Sequence, residues 1–246
     1  MPEETTDNPV LIKGSSERRA VIERVAMLRR EERKGFYHAA RGKQSYDKYL
    51  EGYLGSLDYV RELGSTNLVL DIGAGITRAA YEISTSSEGK DLNFEATTLT
   101  FLPKINEYLG KEKVHITPAE ILRGVEDSSV GLALAVYSIT YSVNPDAAID
   151  SINRVLVPGG ILKGVFRDSK DEDATLSRLA KPINPFEQRL RSLGYDIAIG
   201  NDDGILLAKK PGGNVVRTAE EILEADRRNS KSVFLNKRRA LTIPKS

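Results

Sequence analysis

Residues 67–77 of the chain read NLVLDIGAGIT. The apolar run at 68–72 is short, which predicts a buried strand. Gly73 and Gly75 allow the backbone to turn tightly, and the predicted helix that follows begins with N–H groups that are free to bind a ligand. Asp71 therefore places a carboxylate at the carboxyl end of a strand, which is where open parallel sheets bind their ligands.

The rest of the chain alternates short apolar runs with helical patterns. Strands are predicted at about 67–72, 93–99, 113–116, 131–138 and 160–166, and helices at about 76–85, 103–110, 117–124, 145–156 and 171–193. This alternation implies a mostly parallel sheet with helices on both faces. Asp203–Gly204, between the apolar runs YDIAIG and ILLAKK, predicts a hairpin. The predicted fold class is α/β: an open, mostly parallel, seven-stranded doubly wound sheet with a C-terminal antiparallel hairpin strand, preceded by N-terminal helices.

The chain divides into three predicted regions. Residues 1–64 are expected to form an arm and helices that act as a lid or cap, with a surface helix over 17–35 and a second helix from about Ser45 that carries a stripe of tyrosine and leucine side chains. Residues 65–210 contain the predicted sheet. Residues 211–246 are expected to form a short acidic helix followed by a basic tail.

The composition excludes several classes of protein. Lys and Arg total 36 and Asp and Glu 35, so the chain as a whole is no polycation, although residues 227–246 hold seven basic residues and no acidic one. The absence of cysteine excludes disulfides, thiol catalysis and cysteine-ligated metals, and two histidines do not support a multi-histidine metal site. No apolar run approaches the roughly 20 residues of a membrane span. We therefore expect a cytoplasmic protein that uses neither a membrane nor a metal.

The glycine-rich turn does not match the common nucleotide-binding fingerprints. Counted from Gly73, the third glycine of the dinucleotide motif would fall at Arg78, which argues against a pyrophosphate over the helix terminus. The chain also contains no Tyr-x-x-x-Lys pair and no G-x-x-x-x-G-K-[ST] loop. Short-chain dehydrogenase and P-loop chemistry therefore have no support.

Two stretches together resemble the class I S-adenosylmethionine-dependent methyltransferase family. LVLDIGAG at 68–75 resembles the first motif of that family, and RVLVPGG at 154–160 resembles the run that precedes its fifth strand. Both occur in the family's order, and the predicted terminal hairpin agrees with its reversed last strand. The resemblance covers about residues 45–210 and implies an enzyme that uses S-adenosylmethionine as its cofactor.

The resemblance also implies a set of cofactor-binding residues. Asp71, Gly73, Ala74 and Gly75 would hold the methionine part of the cofactor, with Asp71 accepting hydrogen bonds through ordered water. Tyr46 would help to cover the cofactor, although it also fits the packing stripe of its helix.

Three positions depart from the family's pattern. Thr100 stands where the family has the acid that binds both ribose hydroxyls, and losing such a charge-assisted contact costs about 1.5–3 kcal/mol. Beside the adenine, Pro118 replaces the usual acid and is followed by Ala119, and Gly131 replaces the acid that commonly begins the fourth strand. We therefore expect weak cofactor binding unless a partner or substrate completes the pocket.

No catalytic residue can be named from the sequence, because methyl transfer to some acceptors needs positioning alone. Tyr137 is expected to contact the cofactor. With Ser138, Thr140 and Tyr141 it follows the fourth predicted strand, where the resemblance implies the acceptor pocket. His38 would act as a base only if the N-terminal helices fold over the site, and a packing or surface histidine is the favoured interpretation.

Three functions remain open at this point. The favoured one is an S-adenosylmethionine-dependent methyltransferase with a small-molecule acceptor. The second is a methyltransferase for RNA or protein that grips phosphates through residues 227–246, although a solvated, disordered tail is the favoured interpretation of that segment. The third is a binding or scaffold subunit without turnover. The sequence does not indicate an oligomeric state.

Overall fold

The computed structural model describes Ala26 and residues 41–99, 107–166, 182–200 and 204–241, with side chains as far as Ser230. The predicted helices at 17–35 and 103–110 lie mainly outside these residues, and so do His38 and Thr100. Seven strands are described: β1 Leu68–Asp71, β2 Asn93–Thr98, β3 Val114–Ile116, β4 Val130–Val136, β5 Leu156–Val165, β6 Asp196–Ile199 and β7 Ile205–Lys209. The described α-helices are α1 Lys43–Tyr49, α2 Leu54–Leu63, α3 Arg78–Ser84, α4 Pro145–Val155, α5 Asn184–Ser192 and α6 Ala219–Leu241.

The strands form one sheet in the order β3-β2-β1-β4-β5-β7-β6. The pairs from β3 to β5 are parallel, whereas β7 lies antiparallel to both β5 and β6. The predicted α/β class, the seven strands and the terminal hairpin are therefore confirmed. Strand order reverses between β1 and β4, which creates a crevice beyond their carboxyl ends.

Helices cover both faces of the sheet, and each face has its own apolar cluster. Leu57 of α2, Ile83 of α3 and Ile222 of α6 belong to one cluster, and Ile152 of α4 and Phe186 of α5 belong to the other. Strand β4 is buried along its whole length and contributes alternate residues to the two clusters. Burial on both faces is typical of parallel strands and explains the continuous apolar run in this part of the sequence.

The single helix predicted from Ser45 is instead two helices, α1 and α2. The break lies at Glu51 and Gly52, which both have positive φ, 51° and 91°. A Cβ at Gly52 would lie 2.3 Å from the main-chain oxygen of Asp226 in α6. The turn is therefore imposed by a close approach of two backbones that are far apart in sequence, which periodicity cannot reveal.

A buried ion pair fixes α6 to the sheet and to this turn. Lys163 of β5 and Asp226 of α6 are both 0% exposed, and their charged atoms Nζ and Oδ2 are 2.5 Å apart. The Lys163 ammonium also donates to the Gly52 carbonyl at 2.8 Å, and the Ser56 N–H and hydroxyl donate to the Asp226 carboxylate. Burial lowers the pKa of Lys163, while the charge of Asp226 acts in the opposite direction.

Two further predictions of secondary structure are wrong. Residues 117–124 form turns rather than a helix, because Leu122 and Gly124 have φ of 46° and 84° and the Thr117 hydroxyl accepts a hydrogen bond from the Arg123 N–H. The predicted tail is not unstructured throughout, because α6 continues as a helix of 23 residues to Leu241. Within the described ranges, no helix is long and apolar enough to cross a membrane.

The second motif of the sequence, RVLVPGG, has a packing role at the amino end of β5. The strand begins earlier than predicted, at Leu156, and Gly159 has φ of 78°. A Cβ at Gly159 would lie 3.1 Å from the main-chain oxygen of Gly212, and the Tyr59 hydroxyl donates to the Gly159 carbonyl at 2.7 Å. The glycines of this motif therefore allow a turn that packs tightly against residues 211–213.

Candidate cofactor-binding site

The crevice between β1 and β4 begins at Asp71, the last residue of β1. Asp71 is 1% exposed and pairs in register with Leu134 of β4 on one side and Ala96 of β2 on the other. Ile72 still donates its N–H to the Leu134 carbonyl at 2.8 Å, and the chain turns away from the sheet at this residue. The carboxylate therefore lies at the point where strand order reverses.

The glycine-rich loop is pressed against the ends of both neighbouring strands. Gly73 donates its N–H to the Thr97 hydroxyl at 3.0 Å, and Ala74 donates to the Thr97 carbonyl at 2.9 Å. Gly73 has φ of 70°, and a Cβ there would lie 2.4 Å from the Cβ of Ser138. Glycine is therefore required at this position both for its backbone angle and for lack of space.

The loop keeps unused hydrogen-bonding groups at the crevice. In the part of the chain that the structure describes, the N–H groups of Gly75 and Ile76 have no hydrogen-bond partner. The hydroxyl oxygens of Thr77 and Ser138 are buried and also lack a partner there. Buried polar groups in folded proteins are normally satisfied, so the two hydroxyls fit a site that a polar ligand completes.

Strained backbone occurs on both sides of the crevice. Thr77 has φ of 65° and Tyr137 has φ of 56°, a region that side chains with a Cβ rarely adopt. Such strain is frequent at binding sites, where surrounding structure holds the residue in place. Thr77 and Tyr137 follow the loop and β4, respectively, so both strained residues line the same strand ends.

Tyr46 of α1 reaches Asp71 directly. Its hydroxyl lies 2.8 Å from Oδ1 and 2.9 Å from Oδ2, and its side chain is 4% exposed. The same ring belongs to the apolar cluster of this face, so Tyr46 has both the packing role and the contact with the loop's acid. Helix α1 is held in place where the Lys43 N–H donates to Glu82 of α3 at 2.7 Å.

Burial gives this pair unusual proton affinities. It raises the pKa of Asp71 to about 7, while the hydrogen bond from Tyr46 and the charge of Arg41 act to lower it. Burial, followed by the negative charge of Asp71, raises the pKa of the Tyr46 hydroxyl well above its ordinary value. Tyr46 therefore remains a hydrogen-bond donor, and Asp71 is poised between its two protonation states near neutral pH.

Two residues that the sequence analysis did not identify, Arg41 and Tyr49, complete this side of the crevice. The guanidinium carbon of Arg41 lies 5.6 Å from the ring centroid of Tyr49 and 5.1 Å from that of Tyr137. The two rings meet edge to face at 5.4 Å, and Arg41 Nη1 donates to the Val136 carbonyl at 3.2 Å. Tyr49 follows Tyr46 by three residues in α1, and this spacing places both rings on the same face of the helix. The spacing could therefore have indicated that Tyr49 lies at the site.

The other predicted site residues are more widely placed. Ala119 lies in the turns after β3, where it packs against the apolar cluster of the opposite face of the sheet. Beside it, Glu120 Oε1 accepts a hydrogen bond from the Val143 N–H at 2.7 Å and so joins the loops that follow β3 and β4. The structure therefore brings together Tyr46, Asp71, Gly73 and Tyr137, whereas Ala119 lies on a separate loop.

Comparison with known proteins identifies the fold. No protein-family model and no curated protein matches the chain. A structure of 1,6-didemethyltoxoflavin-N1-methyltransferase from Burkholderia thailandensis, with bound 1,6-didemethyltoxoflavin and S-adenosylhomocysteine, is similar with a TM-score of 0.51 and 18% identity over 83% of this chain and 93% of that one. The cyclase SpnF has a TM-score of 0.49 and 16% identity over 84% of this chain and 100% of its own. A methyltransferase from Thermotoga maritima has a TM-score of 0.44 and 17% identity over 68% of this chain and 94% of its own. The chain has the Rossmann-like fold of class I S-adenosylmethionine-dependent methyltransferases.

Proposed function

We propose that the protein is an S-adenosylmethionine-dependent methyltransferase with a small-molecule acceptor. The observation that carries this proposal is the buried Tyr46–Asp71 pair at the point where the strand order reverses. Beside it lies a glycine loop in which the N–H groups of Gly75 and Ile76 have no partner among the described residues. The fold alone would be compatible with other chemistry. The carboxylate of Asp71 would supply a hydrogen-bond acceptor, and the N–H groups of the loop would supply donors, for the methionine end of the cofactor.

The unsatisfied groups of the crevice fit this cofactor. Ionised Asp71 would accept hydrogen bonds from the methionine ammonium, directly or through water, and Tyr46 would hold the carboxylate in place. The N–H groups of Gly75 and Ile76 would be donors to the ligand, and the lack of a side chain at Gly75 would allow a ligand to approach the backbone closely there. Ala74 would contribute loop backbone to the same end of the site.

The bound cofactor would supply an already activated methyl group. The chain's own task is therefore to hold the acceptor in line with that group and to exclude water, which can contribute several kcal/mol without an acid or base. Tyr137 and Ser138, at the end of β4, are the residues that we expect to face the acceptor. We propose that Ala119 and Thr100 contact the adenosine part, with Thr100 a weaker ribose ligand than an acid.

The regions outside the sheet have proposed roles in the same reaction. Residues 1–64 would act as a cap, since α1 already places Tyr46 on Asp71. We favour a small acceptor over RNA, because Arg227, the first basic residue of the C-terminal segment, forms ion pairs with Glu51 and Glu224. The neighbour from Burkholderia thailandensis, whose structure holds 1,6-didemethyltoxoflavin, has an acceptor of the small-molecule class.

Calorimetric titration with S-adenosylhomocysteine tests the proposal. The wild-type protein should bind it, and Asp71→Asn should weaken binding by about 10- to 100-fold, because a charge-assisted hydrogen bond contributes about 1.5–3 kcal/mol. Asp150→Asn is the matched control, since Asp150 is half exposed on α4 and pairs with Arg189 far from the crevice. No binding by the wild-type protein, or equal affinities for the wild type and Asp71→Asn, would refute the assignment. Binding without methyl transfer to any acceptor would favour the non-catalytic alternative.

A further inference from the structure

Arg41 differs from the other half-buried arginines of the described residues because it has no carboxylate partner among them. The others are Arg154, Arg189, Arg217 and Arg227, which pair with Asp127, Asp150, Glu62 and Glu51, respectively. The one described hydrogen bond of the Arg41 side chain goes to the neutral carbonyl of Val136. A guanidinium has five N–H donors, so most of the donors of Arg41 have no partner within the described residues.

The orientation of this guanidinium is fixed by aromatic contacts. Tyr49 and Tyr137 lie within 5.6 Å of its central carbon, a distance at which a cation is attracted to the ring face. The rings are themselves held edge to face, and Tyr137 is kept in a strained backbone conformation. An arginine held in this way is pre-organised, so binding a planar anion would cost less side-chain entropy.

Arg41 lies at the crevice, beside the end of β4. It bonds to the last residue of β4, next to Tyr137 and to Ser138, whose buried hydroxyl also lacks a partner in the described part of the chain. Tyr46, which bonds to Asp71, precedes Tyr49 by three residues in α1, so Arg41 and Asp71 are linked through the same helix. A guanidinium beside a serine hydroxyl and two tyrosine rings forms a suitable site for a carboxylate.

We propose that Arg41, which lies against the paired rings of Tyr49 and Tyr137, binds the carboxylate of a ligand in this crevice. The inference rests on the proposed function, because the two molecules of that reaction that can supply a carboxylate are the cofactor, through its methionine part, and a methyl acceptor that is a carboxylic acid. Recognition would be the same in both cases, because the guanidinium would donate two parallel hydrogen bonds to the oxygens of the carboxylate. The site would determine affinity in the first case and acceptor specificity in the second.

The experiment uses the full chain with Arg41→Gln, Arg41→Lys and the control Arg191→Gln, whose side chain is 57% exposed on α5 and pairs with Glu187. Each protein is titrated with S-adenosylhomocysteine and with 5′-methylthioadenosine, which lacks the amino-acid part and therefore the carboxylate. Benzoate and benzamide, titrated with and without saturating S-adenosylhomocysteine, probe the acceptor side. Arg41→Lys keeps the charge but loses the fork, so it should retain part of any affinity that Arg41→Gln loses.

The two sources give different results. A loss of about 10- to 100-fold for S-adenosylhomocysteine in Arg41→Gln, with methylthioadenosine binding unchanged, assigns the carboxylate to the cofactor. Unchanged S-adenosylhomocysteine binding, with a preference for benzoate over benzamide that disappears in Arg41→Gln, assigns it to the acceptor. A general loss of structure would also weaken methylthioadenosine binding, so neither result can arise from misfolding.

One outcome would contradict the carboxylate site, and another would contradict the proposed function. If Arg41→Gln changes neither S-adenosylhomocysteine binding nor a preference for benzoate, the carboxylate site is overturned while the proposed function stands. If the wild-type protein binds neither S-adenosylhomocysteine nor methylthioadenosine, the proposed function fails. The titration with benzoate alone then decides whether Arg41 binds a carboxylate.

Discussion

Replacing Asp226 by Asn should strongly destabilise the protein. The change leaves the Lys163 ammonium, which is 0% exposed, with the Gly52 carbonyl as its remaining described partner. Removing one member of a buried ion pair typically costs about 3–5 kcal/mol. Lys163 can avoid an isolated buried charge by losing its proton, and for a side chain with an ordinary pKa of about 10.4 this costs about 4.6 kcal/mol at pH 7. Both considerations place the expected loss at about 3–5 kcal/mol, a large share of the stability of a typical domain.

Urea unfolding at pH 7 of the wild type, Asp226→Asn, Lys163→Met and the double variant measures this loss. The double variant should be more stable than Asp226→Asn, because methionine needs no counter-charge and asparagine can still accept the Ser56 N–H. The deficit of Asp226→Asn should also shrink as the pH rises towards 10, where lysine in the unfolded chain loses its proton as well. Asp150→Asn, which breaks a surface pair, should cost less than about 1 kcal/mol.

Two results would refute the reasoning about the buried pair. One is a loss of less than about 1 kcal/mol in Asp226→Asn, which would mean that water or another group compensates the charge of Lys163. The other is a double variant whose loss equals the sum of the two single losses, since that would show no coupling between the two side chains.

Two further predictions concern the crevice. Gly73→Ala should abolish S-adenosylhomocysteine binding and should cost more stability than Gly194→Ala. Both glycines have positive φ, so both changes strain the backbone. A Cβ at Gly73 would also lie 2.4 Å from Ser138, whereas a Cβ at Gly194 would lie 3.9 Å from Pro211. The second change should cost about 1–2 kcal/mol from backbone strain alone, and equal costs with binding retained would contradict the packing of the loop. Burial raises the pKa of Asp71 from 3.8 to about 7, so between these values the folded protein holds a proton that the unfolded chain has released. The stability of the ligand-free protein should therefore fall as the pH rises from about 4 to about 7, and Asp71→Asn should remove that component of the slope. Urea unfolding across this range tests it, and identical slopes would show that Asp71 is ionised throughout.

The parts of the site that were predictable from the sequence are those with short-range signals. Asp71, Gly73 and Gly75 lie within five residues of one another, and a strand followed by a tight turn is visible in the local pattern. The pairing of Tyr46 with Asp71 followed from the family resemblance, but periodicity indicated packing as well, and the ring does both. Arg41 gave no local signal, because the carbonyl that it binds, that of Val136, is 95 residues away in the sequence.

The errors have one physical cause. The break between α1 and α2 depends on contact with α6, the turns at 117–124 depend on the Thr117 hydroxyl and on positive φ at Leu122 and Gly124, and the early start of β5 depends on packing against residues 211–213. Each is decided by contacts or backbone angles that a helical or apolar pattern does not encode. Tertiary interactions override weak local preferences in such places.

The sequence by itself determined the class of the fold, the order of most of its strands and helices, and the place of the ligand crevice, because alternating apolar runs and a glycine turn act over a few residues. The tertiary structure decided which side chains share that crevice and in which charge state. It buries Asp71, and this burial raises the pKa of the acid. It places Arg41 against the paired rings of Tyr49 and Tyr137, with no carboxylate partner in the described part of the chain. It also fixed α6 to β5 and to the turn at Gly52, because Lys163 and Asp226 are buried together as a pair.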